Sequence, residues 1–354
     1  MIFSLVVLIT LGLLVWVIIV IPRAREWIAR CDADKNNPLP VWAPPPGMEP
    51  RGVPVPPFDG VRWTSLSKDV DSDGVHVVNY DAISQRGVRG KQRNPSNIAV
   101  FAIKRAKSHL ETGDENDFLL AARQFRYFVE TAKPVTIDGR EGAVWCADFN
   151  LGHNYNAKAP WKSAYLQIYS MNALLWGYAL TGDVRYRDLA CKGLLPLGHT
   201  VDEGGLCHRT PNGGLFFEDV VSSPLHHILN GHLDTLVGLH DFRAFTGFEE
   251  ADPIIDAGIR GTIDMLPLYD RYGYSLYSLA PNPGVRTHFN IANPYYHRMH
   301  VALLMKLHRF TDEAMFENYA DRWEDECGRA FDTAWSWLLM MFRDAMKALK
   351  TLRM

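Results

Sequence analysis

Tyr178-Ala179-Leu180-Thr181-Gly182-Asp183-Val184-Arg185-Tyr186 ends one apolar helix, turns tightly and starts another. The same punctuation returns at Thr112-Gly113-Asp114, Thr246-Gly247-Phe248 and Thr311-Asp312-Glu313, so the turns lie 65 to 70 residues apart. Each follows an apolar helical run and precedes a helix carrying one large and one small apolar residue: Phe118 and Ala121, Tyr186 and Ala190, Ile254 and Ala257, Phe316 and Ala320. Self-similarity at a fixed period marks a repeated supersecondary unit, here an α-hairpin. The period is longer than two helices and two short turns require. The surplus falls in residues 134–160, 196–224 and 267–294. Long inserts on one side of a helical array line its functional face. The expected fold class is therefore all-α: an α/α toroid over residues 94–330, an incomplete barrel of helical hairpins with long loops lining a cleft.

Upstream, Asn94 can cap a first helix and Pro95 suits its first position, with Ile98, Phe101, Ala102, Ala106 and Leu110 at helical spacing. Residues 61–93 are polar around a β-like run, Val75-His76-Val77-Val78, and read as a small irregular or β cap. Nine prolines between positions 38 and 57 make residues 23–60 a juxtamembrane stretch and semi-rigid polyproline linker. Residues 2–21 are an unbroken apolar run, long enough for a bilayer, so residues 1–22 read as one transmembrane helix preceding the toroid. A cleaved signal peptide is the weaker reading: nothing basic precedes the run and no small-x-small site follows it. Arg23, Arg25 and Arg30 directly after it place the body on the cytoplasmic side, in a single-pass protein of a bacterial-type inner membrane. Residues 331–354 carry Trp335, Leu338, Leu339, Phe342, Met346 and Leu349 beside Arg343, Lys347, Lys350 and Arg353. Such a basic amphipathic helix suits an anionic membrane surface or docking on its own domain.

Composition narrows the classes. With 354 residues, 47% of them hydrophobic, the chain can bury a core. A net charge of -3 argues against nucleic acid as a partner, since a phosphate backbone needs a basic face. The cysteines, Cys31, Cys146, Cys191, Cys207 and Cys327, are scattered and odd in number, giving neither a disulfide framework nor a CxxC metal site. Phosphate-binding glycine loops, a nucleophile elbow and HExxH are all missing from the sequence.

What remains is a set of Tyr, His, Arg and acidic residues in the inserts. The densest is Gly273-Tyr274-Ser275-Leu276-Tyr277-Ser278-Leu279 followed by Tyr295-Tyr296-His297-Arg298-Met299-His300. Trp161 to Gln167 opens a long apolar helix, and Glu218-Asp219 precedes Ser222-Ser223-Pro224-Leu225-His226-His227-Ile228-Leu229-Asn230-Gly231. Read as residues alone, the tyrosines serve either a cleft or a core, Glu218-Asp219 either chemistry or a helix cap, and Trp161 and Gln167 packing or sugar contact. His226-His227 does not make a metal site without further ligands. His297, His300, Arg298 and Arg286 are the candidate carboxylate holders, with Asn230 near the same insert.

These motifs together resemble the D-glucuronyl C5-epimerases that act on heparosan-type polysaccharides. The likeness covers about residues 95–326 and is sharpest over 161–323. It rests on WxSAxxQ from Trp161 to Gln167, the acid pair before SSPxxxxLNG, and GLHDFRAFTG from Gly238 to Gly247. It continues in LPLYD from Leu266, SLYSL from Ser275, and YHxxH from Tyr296 to His300. The resemblance implies that Tyr277 and Tyr296 are catalytic tyrosines and that Glu218 with Asp219 is the acidic pair. Epimerising a uronate at C5 removes a proton α to a carboxylate and returns one to the opposite face, which needs an acid, a base and a carboxylate holder. Two departures stand out: Val220-Val221 replaces the Tyr-Pro that follows the acid pair in the animal enzymes, and Ala280 replaces an arginine. By this resemblance the β-rich N-terminal domain of those enzymes is expected to be missing or reduced here, replaced by the membrane span and proline linker. The expectation is a membrane-tethered epimerase converting glucuronate to iduronate in a uronate-containing polysaccharide. No organic cofactor and no metal is implied, with a structural Ca²⁺ and a homodimer left open. A uronate polysaccharide lyase and a non-catalytic glycan-binding protein of the same fold are the alternatives.

Overall fold

The four interhelical turns share one hydrogen-bond scheme. In each, the last helical threonine donates its hydroxyl four residues back, Thr112 to the Ser108 carbonyl, Thr181 to Gly177, Thr246 to Phe242 and Thr311 to Leu307. The same oxygen accepts from the backbone N–H two residues on, at 3.2 Å in all four turns. Between them one residue turns left-handed: Gly113, Gly182, Gly247 and Asp312 at φ 74, 72, 67 and 54°. Asp114 and Asp183 then cap the following helices by accepting from Asn116 N and Arg185 N. Asp312 is the exception in a position that favours glycine, because a Cβ crowds the left-handed conformation. Asp312→Gly is therefore expected to stabilise the protein by about 0.5–1 kcal/mol, read as a higher urea midpoint. A lowered midpoint would show that the aspartate side chain contributes more than its backbone strain costs.

The computed structural model describes residues 69–80, 90–151, 155–271, 273–279 and 290–328, the last four as backbone alone. The transmembrane reading of 1–22, the linker 23–60, part of the cap and the C-terminal helix 331–354 lie outside the described residues, as do Ala280 and Arg286. Among the described residues no helix is long and apolar enough to cross a membrane. The described residues form two compact units, the smaller holding residues 271, 273–277 and 291–328, the larger residues 69–80, 90–151, 155–270, 278–279 and 290.

In the larger unit the hairpins are α1 (Pro95–Thr112) with α2 (Glu115–Thr131), α3 (Ala164–Thr181) with α4 (Val184–Lys192), and α5 (Leu229–Thr246) with α6 (Asp252–Met265). Helix α1 starts as its sequence implies, with Asn94 accepting from Ser96 N and Pro95 in the first turn. Helices α1, α3 and α5 have 18 residues each and pack side by side, while α2, α4 and α6 lie against their own partners. The middle of this inner row is buried all round, with polar side chains such as Gln167, Asn172, His232 and Asp234 among the apolar ones. Residues 166–177 of α3 and 229–239 of α5 are buried without interruption, as a helix covered on every side must be. This is the double-layered hairpin array of an α/α fold.

The expectation of an all-α chain with loop-like inserts needs correcting. The inserts fold as small antiparallel sheets. β3 (Lys133–Ile137) and β4 (Arg140–Val144) turn on Asp138-Gly139, both at positive φ, the two-residue turn that matches strand twist. β5 (Cys146–Ala147) pairs with β6 (Trp161–Lys162), and β7 (Cys207–Arg209) with β8 (Leu215–Phe217). In the cap, β1 (Val78–Asn79) pairs with β2 (Lys91–Gln92). Pairing satisfies the backbone of segments that pack against the helices, which an irregular loop could not do in the interior.

The smaller unit holds the fourth hairpin, α7 (Pro294–Thr311) with α8 (Ala314–Gly328), and a sheet of strand order β11-β10-β9. These strands are β9 (Asp270–Arg271), β10 (Tyr274–Ser278) and β11 (Asn290–Ile291). Ala292 N donates to Ser275 O at 3.0 Å, tying β10 to the entry of α7.

Candidate active site

In the larger unit β8 delivers Glu218 into the interior. The Glu218 N–H donates to Leu206 O and its carbonyl accepts from Ala164 N at the start of α3, fixing the backbone from both sides. The carboxylate is 0% exposed. Both oxygens are held by one residue: Oε1 lies 2.5 Å from His227 Nδ1 and Oε2 accepts from His227 N at 3.2 Å. His227 itself takes φ 47°, and its carbonyl accepts from the Tyr269 hydroxyl at 2.5 Å. The His227 ring lies 4.8 Å from His208 and edge-on to Phe216 at 5.6 Å. Burial, then the charge of Glu218, raises the Tyr269 phenol well above its ordinary range, so it stays a donor. Burial and then His227 push His208 below the usual histidine range.

Behind this pair, His232 stacks on Phe216 at 4.1 Å, accepts from Phe217 N at Nδ1, and places Nε2 2.8 Å from the Thr262 hydroxyl. Thr262 spends its own proton on Gly258 O, so the imidazole is neutral with its proton on Nε2. Asp219 is half-buried against the first turn of α5, where a Cβ at Gly231 would meet Asp219 Cβ at 2.4 Å. Asn230, in that turn, is 8% exposed, and its Oδ1 has no hydrogen-bond partner among the described residues.

Two residues expected at the substrate are interior. Gln167 is 0% exposed, accepting from Trp145 N and donating to Ala143 O and Gly193 O. It joins β4 to the C-terminal end of α4. Trp161 is 7% exposed, donating to Phe149 O and packed edge-on against Phe149, so its faces are not a sugar platform.

In the smaller unit Tyr277 on β10 and Tyr296 on α7 meet, ring centroids 4.8 Å apart at 60°. Tyr295 touches Tyr296 at 5.2 Å, and both Tyr277 and Tyr296 are half-buried. His297 and His300 correct the expectation of carboxylate holders, because both are 0% exposed. His297 stacks on Tyr274 at 3.7 Å, accepts from Ser275 N, and places Nε2 3.0 Å from Trp323 O. The Ser275 hydroxyl bridges His297 and His300, 2.8 Å from Nδ1 of each. These rings clamp β10 to the last hairpin. Arg298 is half-buried on α7.

Buried neutral histidines tie stability to pH. Burial lowers His232 and His297 from 6.5 to about 3 and takes His300 well below 6.5. The unfolded chain therefore binds more protons than the folded one below pH 6.5. Stability is fully present above that pH and is lost as the pH falls toward 3. Between about pH 7 and about pH 5 each ring is expected to remove up to ~2 kcal/mol. Urea titrations across that range check it; an unchanged midpoint would mean the rings are not buried neutral.

The family model for the D-glucuronyl C5-epimerase C-terminus matches residues 139–325, more than half of the chain. The chain belongs to this C5-epimerase family. It is 27% identical over 175 residues to a D-glucuronyl C5-epimerase of Caenorhabditis elegans, covering 46% of this chain and 28% of that protein's length. It is 25% identical over 269 residues to an uncharacterised protein of Methanocaldococcus jannaschii, covering 72% of this chain and 84% of that one. Among solved structures, cellobiose 2-epimerase from Spirochaeta thermophila is 14% identical, with a TM-score of 0.47 over 66% of this chain and 58% of that one. The C5-epimerase match contains both the tyrosine pair and Glu218-Asp219.

His227 and Tyr269 are the site residues that the sequence reading did not assign. The His226-His227 pair was visible as a doublet without ligands. Its tie to Glu218, nine positions earlier, exists only because β8 and the start of α5 meet in space.

Proposed function

We propose that this C5-epimerase-family chain is a carbohydrate epimerase that inverts C5 of glucuronate residues in a polysaccharide, with Tyr277 and Tyr296 in proton transfer. The contact of these two tyrosines, inside the family-matched span, carries the reading. The C5 proton of a uronate lies α to a carboxylate, and breaking C5–H leaves an electron pair shared with that group. A phenol can give or take the proton. With centroids 4.8 Å apart the rings touch, and no sugar ring fits between them. The pair therefore acts from one side of the sugar. Glu218 and Asp219 stay within the proposal, Glu218 acting from the interior. A membrane tether at residues 1–22, with the body on the cytoplasmic side, would let the enzyme meet the polymer before export.

Deuterium wash-in at C5 of a glucuronate polymer in heavy water is the test. Exchange with retained chain length supports an epimerase. Ultraviolet absorbance from an unsaturated uronate would instead identify β-elimination, which begins with the same proton abstraction. Glycan binding with no exchange would overturn the enzymatic reading.

A further inference from the structure

We infer that His227 is an acid-base residue of this enzyme and that buried Glu218 is the positioning residue that aims it. The inference rests on the epimerase reading above. Four observations carry it. First, a fully buried carboxylate is costly, and Glu218 spends both oxygens on a single residue, gripping its side chain and its backbone N–H at once. If the interior needed only filling, an apolar side chain would cost less. Second, His227 is held at φ 47°, a conformation that few non-glycine residues adopt, and Tyr269 pins its carbonyl. Third, its side chain is 19% exposed although its Nδ1 faces inward. Fourth, Nε2 makes no hydrogen bond among the described residues and is not one of their buried unpartnered atoms. The neighbouring His208, His226 and His232 are all pushed below the ordinary histidine range, chiefly by burial, and none of them pairs with a carboxylate in this way.

A carboxylate at Nδ1 keeps the ring proton there and leaves a lone pair on Nε2, the form of a general base. In the proposed step the uronate C5–H bond breaks, its electron pair staying on the carbon and its carboxylate. The proton moves to Nε2 of His227, and the resulting imidazolium faces Glu218. A second acid returns a proton to the opposite face of C5. Solvent then reprotonates that acid and takes the proton from His227, so no net proton is consumed.

The experiment uses the full chain and C5 deuterium wash-in on a glucuronate polymer. His227→Asn tolerates the left-handed backbone and so keeps the fold; it is expected to lose about 10²–10⁴-fold in exchange rate. His227→Gly leaves the backbone relaxed and opens a space for the missing ring, and added imidazole is expected to restore at least about tenfold of the lost rate. Glu218→Gln should lower kcat by about 10²-fold with KM unchanged, as a residue acting only through His227 would. Wild-type protein that exchanges no C5 hydrogen overturns the epimerase reading and this inference with it. Wild-type exchange that persists in His227→Asn within about twofold overturns the inference alone. So does a loss in His227→Gly that imidazole cannot restore, or a Glu218→Gln loss that tracks a lower melting temperature, since both assign the pair to structure.

Discussion

Tyr296→Phe is expected to lower C5 hydrogen exchange by about 10²–10⁴-fold, the usual contribution of a positioned proton-transfer group, while the thermal midpoint stays near that of the wild type. The change removes one hydroxyl and keeps the ring. The ring is what packs: Tyr296 meets Tyr277 at 4.8 Å and Tyr295 at 5.2 Å, and both contacts survive in phenylalanine. Its backbone is held independently, since Tyr296 N donates to the capping side chain of Asn293. Tyr296 thus stands in the first turn of α7, where the helix N-terminus favours negative charge. Tyr277→Phe is the companion change. Comparable losses in both variants would make the pair one functional unit, and exchange unchanged in both would remove the tyrosines from the chemistry. A fall in melting temperature equal to the loss of activity would make them packing residues.

Gly261→Ala is expected to destabilise the protein by about 3 kcal/mol or more, at the upper end of what overpacking costs. A Cβ at Gly261 would fall 2.1 Å from Leu215 O and 2.6 Å from Leu215 C, both backbone atoms of β8. Gly214 faces the same contact from the other side, its Cβ reaching Gly261 N at 2.3 Å. Two backbones touch here, so no side chain can rotate away. The β7–β8 hairpin would have to lift off α6, carrying Phe217 and Glu218 with it. Urea unfolding should show a midpoint far below that of Asp312→Gly, whose substitution relieves strain. A melting curve like the wild type's would mean that the hairpin can shift without cost, and Glu218 would then not be rigidly placed.

Much of the fold was legible along the chain. The Thr-Gly-Asp punctuation located the turns, and Asn94-Pro95 marked the start of α1, because capping and turn formation involve neighbours within four residues. The inserts were not legible. Their strands are two to five residues long and each pairs across a short turn or a gap, as Cys207 does with Phe217, leaving little periodicity to detect. The site divided in a similar way. Tyr277 and Tyr296 stood out as a dense aromatic cluster, and the structure brings their rings together. His297, His300, Gln167 and Trp161 looked like contact residues because polar and aromatic side chains next to a long insert usually reach outward. In the fold each is buried with a hydrogen-bond partner.

By itself the sequence determined the hairpin repeat, its period, and the residues that cap and turn each helix, since those rest on hydrogen bonds between near neighbours. Only the tertiary structure decided which polar groups face inward and which meet: Glu218 with His227, Tyr277 with Tyr296, Ser275 with two histidines. Burial and pairing depend on segments far apart in the chain arriving at one place, and the free energy of a polar side chain turns on whether a partner is there when water is gone.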